Sequence, residues 1–122
     1  MIQVPVDAGG ATWTTAALST PSIVLARIPQ PSGTQGIRDI SYDDQTGDFL
    51  ILLGRSRSGD DAPFQLCAWT RGSDDVRLMG VKFEKNMKPE GVTPVYGDGK
   101  RKILVVDDAG GYAVFKLRHS DQ

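Results

Sequence analysis

The sequence predicts an all-β chain laid out as an antiparallel meander, and three observations predict it. Apolar residues recur at helical spacing over no long window, and no N-cap residue is followed by an amphipathic run of helical length. Short runs rich in Val, Ile, Leu and aromatic residues alternate with clusters of Gly, Pro, Asp and Ser at a spacing of roughly 8–12 residues. Two of those runs, residues 49–53 and 103–106, show no polar alternation, so both faces of each strand should be covered.

In chain order, residues 1–6 read as a short strand, with a turn at Asp7-Ala8-Gly9-Gly10. Residues 11–18 are ambiguous. Residues 22–28 read as a strand, set off by Pro21 and stopped by Pro29 and Pro31. Residues 36–42 give the next strand, and Asp43 to Gly47 turn the chain into the apolar run at 49–53. A polar loop over 55–62 leads to a strand at 64–69, and residues 71–75 turn into another at 76–81, which completes a four-stranded meander.

The pattern then starts again. Gly36, Ile37 and Ile40 align with Gly91, Val92 and Val95; residues 49–53 align with 103–107; Phe64, Leu66 and Trp69 align with Tyr112, Val114 and Leu117. The offset drifts from about 55 to about 48 residues because the loop at Ala109-Gly110-Gly111 is tighter. A period near 50 residues with four strands per unit is that of a β-propeller blade, whose inner strands pack on both faces. The expected organisation is one domain over 1–122, with N-terminal strands in 1–30, a first blade-like unit in 36–83 and a second in 88–118.

Composition bounds the partners. A net charge of -1 and an apolar fraction of 39% are those of a globular chain with no general electrostatic reason to bind nucleic acid or an anionic membrane. Lys100, Arg101 and Lys102 read as a solvated loop. No apolar run approaches the ~20 residues of a membrane helix, and the first residues lack the pattern of a signal peptide. A complete chain of this kind is expected in the cytoplasm; for a piece of a longer protein the compartment is unknown. The lone Cys67 excludes a disulfide within the chain, and it reads as a packed thiol.

The motifs Gly36-Ile37-Arg38-Asp39, Pro63-Phe64-Gln65-Leu66-Cys67-Ala68-Trp69, Lys88-Pro89-Glu90-Gly91-Val92 and Leu104-Val105-Val106-Asp107-Asp108, in that order, resemble a bacterial domain family of unknown function and propeller type. The resemblance covers residues 22–117. It implies a propeller fold distantly similar to six-bladed phytase-like and lactonase-like propellers, and it implies no activity. Those domains run to several blades, whereas this chain holds about two. Two blades form an open arc with apolar faces and strand edges at its ends. The expectation is therefore self-association, with three two-blade chains giving a six-bladed ring, or incorporation into a larger propeller. Residues 23–28 are expected to supply the fourth strand that the second unit lacks, within the chain or from a neighbour.

The candidate binding residues are Arg38, Asp39, Lys88, Glu90, Asp107 and Asp108. Glu90, between a proline and a glycine at the start of an inner strand, could face a channel as a metal ligand or base, or accept backbone N–H bonds. Arg38 and Asp39 stand at the matching place in the first unit. Adjacent strand residues point to opposite faces, so at most one of them should join Glu90, with an ion pair between Arg38 and Glu90 the plainer arrangement. Asp107 and Asp108 could hold Ca²⁺ or cap the turn that follows. The acidic residues Asp43, Asp44 and Asp48 lack the spacing of a calcium loop and read as a hairpin turn. His119 is the only histidine, which excludes His-based triads. The expected function is a non-catalytic binding or scaffold module without a cofactor. The alternative is a calcium-assisted hydrolase of phytase or lactonase type, with any metal held by Glu90, Asp107 and Asp108.

Overall fold

A computed structural model describes residues 2–5, 14–29, 35–55 and 63–117. The expected turn at 7–10, Trp13, His119 and most of the loops at 30–35 and 55–62 lie outside the described residues. The fold is all-β and antiparallel, as expected, in sheets of two, four and three strands. The two-stranded piece pairs β1 (Ile2–Gln3) with β2 (Ser22–Ile23). The four-stranded sheet is a meander of β3 (Ile37–Tyr42), β4 (Asp48–Leu53), β5 (Gln65–Thr70) and β6 (Val76–Leu78). The three-stranded sheet follows as β7 (Pro89–Gly97), β8 (Lys100–Asp107) and β9 (Tyr112–Lys116). Pro94 sits mid-strand without breaking a ladder, because β7 is an edge strand paired only with β8.

The core explains the first all-apolar run. Leu50 and Leu52 of β4, with Leu66 and Ala68 of β5, pack on Val92, Ile103 and Val105 of the second sheet. Ile51 and Leu53, with Cys67, Trp69 and Val76, point the other way and are covered by Val24, Ala26 and Ile28. Each residue from Leu50 to Leu53 is buried, so this strand has both faces covered, as its sequence requires. The second run differs. Ile103 and Val105 are buried, but Val106 is exposed and Leu104 half-buried, because no layer of the described residues lies on that side of β8. The expectation of two-sided cover is corrected there.

Within the chain, residues 22–28 do not complete the second sheet. Only Ser22 and Ile23 are strand, and the rest crosses the far face of the first sheet, where Arg27 donates its N–H to the Asp74 carbonyl at 2.7 Å and accepts from Val76 at 2.9 Å. The inward side chains Val24, Ala26 and Ile28 match the apolar surface around Trp69, and that burial outweighs an added strand on β9.

Register also corrects the internal alignment. Ile40 lies opposite Ile51, and Val92 opposite Val105, so these first-strand residues correspond and the earlier match slips by three positions. Trp69 lies opposite Phe49, and Phe115 opposite Ile103, so Trp69 corresponds to Phe115 rather than Leu117. The match of 49–53 with 103–107 needs no adjustment: β4 meets β3 and β5 as β8 meets β7 and β9.

Candidate functional site

The first strands of the two sheets, β3 and β7, lie side by side, and three polar contacts tie them along one seam. At one end Arg38 donates from Nη1 to Glu90 Oε1 at 3.0 Å, with both side chains partly exposed. Both residues sit where the ladder shifts register, between Ile37 and Asp39 in β3 and between Pro89 and Gly91 in β7. They therefore occupy matching bulges in the two sheets.

Of the adjacent pair only Arg38 joins Glu90, as expected, but Asp39 does not turn away from β7. Asp39 Oδ2 accepts the Val92 N–H at 2.8 Å while Arg38 reaches Glu90, so both side chains of this adjacent pair meet β7. The inserted residue cancels the two-residue alternation at that point. Two glycines make the approach possible. A Cβ on Gly54 would stand 2.6 Å from Arg38 Nε, so the Arg38 side chain lies over Gly54 on its way to Glu90. A Cβ on Gly91 would stand 2.8 Å from Val106 Cγ2 and 3.6 Å from Asp39 Oδ2.

At the other end of the seam stands a cluster that the sequence reading did not single out. Asp43, fully buried, accepts Arg101 Nε at 2.5 Å and the hydroxyl of Tyr96, and its Oδ1 also accepts the Gln45 N–H at 3.1 Å. Burial alone would push this carboxyl up. The hydrogen bonds from Tyr96 and Arg101 and the Arg101 charge outweigh burial and hold it below the usual carboxylate range. The Tyr96 hydroxyl shifts the opposite way: burial, then its bond to Asp43, raises it. Arg101, expected in a solvated loop, is thus mostly buried in an ion pair between the sheets.

Asp107 and Asp108 belong to a separate contact. Asp107 Oδ1 accepts the Ala109 N–H at 2.6 Å and Oδ2 accepts the Lys88 N–H at 2.8 Å. Those two backbone bonds hold its carboxyl below the ordinary value. The Asp108 N–H donates to the Lys88 carbonyl at 3.0 Å. The pair fastens the start of β7 to the end of β8, the capping role of the two uses weighed for it. Lys88 takes part through its backbone, while Glu90 is engaged with Arg38 instead.

Among the described residues no group of three or more His, Cys, Asp or Glu side chains is placed to hold a metal ion. Asp48, one of the acidic residues after β3, accepts from Thr70 Oγ1 at 2.8 Å and Arg77 Nη2 at 3.1 Å, so the turn it closes is a hairpin between β3 and β4. Cys67 is buried and its thiol is pushed up to about 11 by burial, the behaviour of a packed side chain. Trp69 is likewise core, with Nε1 donating to the Ser73 carbonyl at 2.8 Å.

An apolar groove of about 420 Å³ runs beside the connection from the first sheet to the second, bounded by Phe64, Leu66, Leu78, Val81 and Phe83. Lys82 is the ionisable residue of its lining, with no carboxylate or histidine beside it there. No family model matches the chain, and no curated protein or solved structure matches it either.

Proposed function

We propose that the chain is a non-catalytic binding or scaffold module of propeller type, whose copies join head to tail into a ring or dock onto the remainder of a larger propeller. The observation that carries this reading is the sense of the sheet stacking. Ile103 and Val105, the counterparts of Phe49 and Ile51, face the first sheet, and they meet Leu50 and Leu52 there. Like side chains do not face each other; each sheet turns one kind of face forward and the other back, as consecutive blades do. The resemblance of the motif order to a bacterial propeller-type family of unknown function points the same way. Three copies of the two-sheet unit would make six blades.

The polar residues of the seam favour binding or scaffolding over catalysis, because each is engaged by another part of the chain. Arg38 holds Glu90, Asp39 holds the β7 backbone, and Asp43 holds Arg101 and Tyr96. A calcium-assisted hydrolase would have to release Glu90 from Arg38 and Asp107 from the N–H groups of Lys88 and Ala109. Nothing in the near-neutral charge calls for nucleic acid, and a cytoplasmic setting suits the buried, unpaired Cys67.

The test is thermal unfolding of the assembled protein with and without calcium, together with its mass by light scattering. The expected result is an unchanged Tm in calcium and a mass that is a multiple of 13.2 kDa. A calcium-dependent rise in Tm would overturn the non-catalytic reading in favour of the hydrolase. A folded species that stays at 13.2 kDa alone would overturn the ring.

A further inference from the structure

Residues 22–28 carry apolar side chains on both sides, with Arg27, paired to Asp75, the charged residue of the outward one. Val24, Ala26 and Ile28 cover the far face of the first sheet, while Ile23 and Leu25 stand out to solvent, 74% and 80% exposed. Ile23 lies directly opposite Ile2 across the β1 and β2 pair, and Ile2 is exposed too, so the three form one outward apolar surface. At the other end of the stack the second sheet has a surface of the same kind. Val106 lies opposite Tyr112 and Leu104 opposite Val114, with Tyr112 74% and Val114 47% exposed. Isolated surface hydrophobics need no explanation, but two neighbouring cross-strand pairs of them do, even on a face whose next pair is Lys102 and Lys116.

We infer that these two surfaces cover each other between copies, with Val106, Tyr112 and Val114 of one chain seated on Ile2, Ile23 and Leu25 of the next. The inference rests on the head-to-tail reading and supplies the contact that reading leaves open. The sense of the stack selects the occupant. In the first sheet the side bearing Ile51 and Leu53 faces back to the N-terminal layer, and the side bearing Leu50 and Leu52 faces forward to the second sheet. In the second sheet the forward side bears Leu104 and Val106 and has nothing after it among the described residues. Among the described residues the N-terminal layer has nothing before it. The two bare surfaces are thus the front and back ends of a one-directional stack, and identical chains satisfy both by a heterologous contact. Two second sheets meeting face to face would reverse the sense and leave the Ile2, Ile23 and Leu25 surface bare.

The test uses the full chain and two charge insertions at exposed positions, Leu25→Asp on the back surface and Val114→Asp on the front. Each variant alone is expected to fall to a monomer of 13.2 kDa while keeping the far-UV circular dichroism of the parent and a Cys67 shielded from thiol reagent. Mixed in equal amounts they are expected to form a dimer, because each retains the surface the other lacks. A mixture that remains monomeric overturns the contact. If Leu25→Asp assembles like the parent while Val114→Asp does not, the front surface meets something other than the N-terminal layer; this contact then fails while the ring reading stands. A parent chain that is itself monomeric overturns both.

Discussion

Asp43 follows β3 and Arg101 is the second residue of β8, 58 positions apart, and their side chains meet at 2.5 Å in the seam between the two sheets. The carboxylate has no exposed surface, and Tyr96 and the turn backbone occupy its remaining acceptor positions. Removing one member of a buried pair strands the other charge, which costs about 3–5 kcal/mol, more than the pair itself contributes over an apolar replacement. Asp43→Ala should therefore destabilise the chain by about that amount. Tyr96→Phe, which deletes one bond to a charged acceptor, should cost about 1.5–3 kcal/mol. Urea unfolding midpoints at unchanged slope would check the order; equal costs for the two would mean that Arg101 finds other solvation when Asp43 is gone.

The same carboxylate gives the fold an acid limit. Its folded pKa lies below the ordinary value, so its contribution is complete above the unfolded value of about 3.9 and is lost as pH falls through the folded one. The sign is that of a group the folded state prefers charged. Asp107 is shifted in the same direction by its two backbone donors, so it adds to the same limb. Asp43→Asn should flatten, without abolishing, the fall of stability between pH 4 and the acid transition. A variant whose acid limb matches that of the parent would show that Asp43 titrates alike in both states.

Gly54 and Glu90 never touch, yet Arg38 couples them. A Cβ at position 54 would press on Arg38 Nε at 2.6 Å and Cγ at 2.9 Å, and the displaced side chain loses its reach to Glu90. The ion pair is partly exposed and contributes at most about 1 kcal/mol. Gly54→Ala should remove that contribution along with any packing strain, and Glu90→Ala on top of it should cost nothing more. A double-mutant cycle measures this directly. Strict additivity would separate Gly54 from the ion pair.

These contacts divide into those that could be read ahead and those that could not. The strand at 49–53 was legible because a run of leucine and isoleucine with no polar alternation calls for cover on both faces, and in the first sheet a layer lies on each. The pairing of Arg38 with Glu90 was legible from the repeat, which sets the two at matching places. The bulges were not, because an extra residue in a strand leaves no mark on composition, and it is the bulge that lets Arg38 and Asp39 share a side. Asp43 reads like any turn aspartate, and its partners are fixed by how the sheets stack. One signal was present: Tyr96 and Arg101 are register neighbours flanking the Gly97-Asp98-Gly99-Lys100 hairpin, so they form a ready donor pair that needs a carboxylate. The open face of the second sheet was illegible, since Leu104 and Val106 have the same composition whether or not a layer covers them.

Cys67 supplies the alkaline counterpart of the acid limb. Its thiol lies in the second cluster with Trp69 and Val76, wholly buried, and burial raises it from 9.0 to about 11. A group the folded state prefers neutral contributes fully below its unfolded pKa, and that contribution disappears as pH rises through the folded value. The window is therefore pH 9 to 11, and a separation of that size is worth about 3 kcal/mol by its upper end. Cys67→Ala should abolish this alkaline loss, leaving the smaller effect of Tyr96, at the cost of a small cavity beside Trp69. In the parent, a thiol reagent at pH 8 should react only as fast as the first sheet opens, and urea should accelerate it steeply. Rapid labelling in the absence of denaturant would mean that residues 24–28 leave the far face of the first sheet without unfolding it.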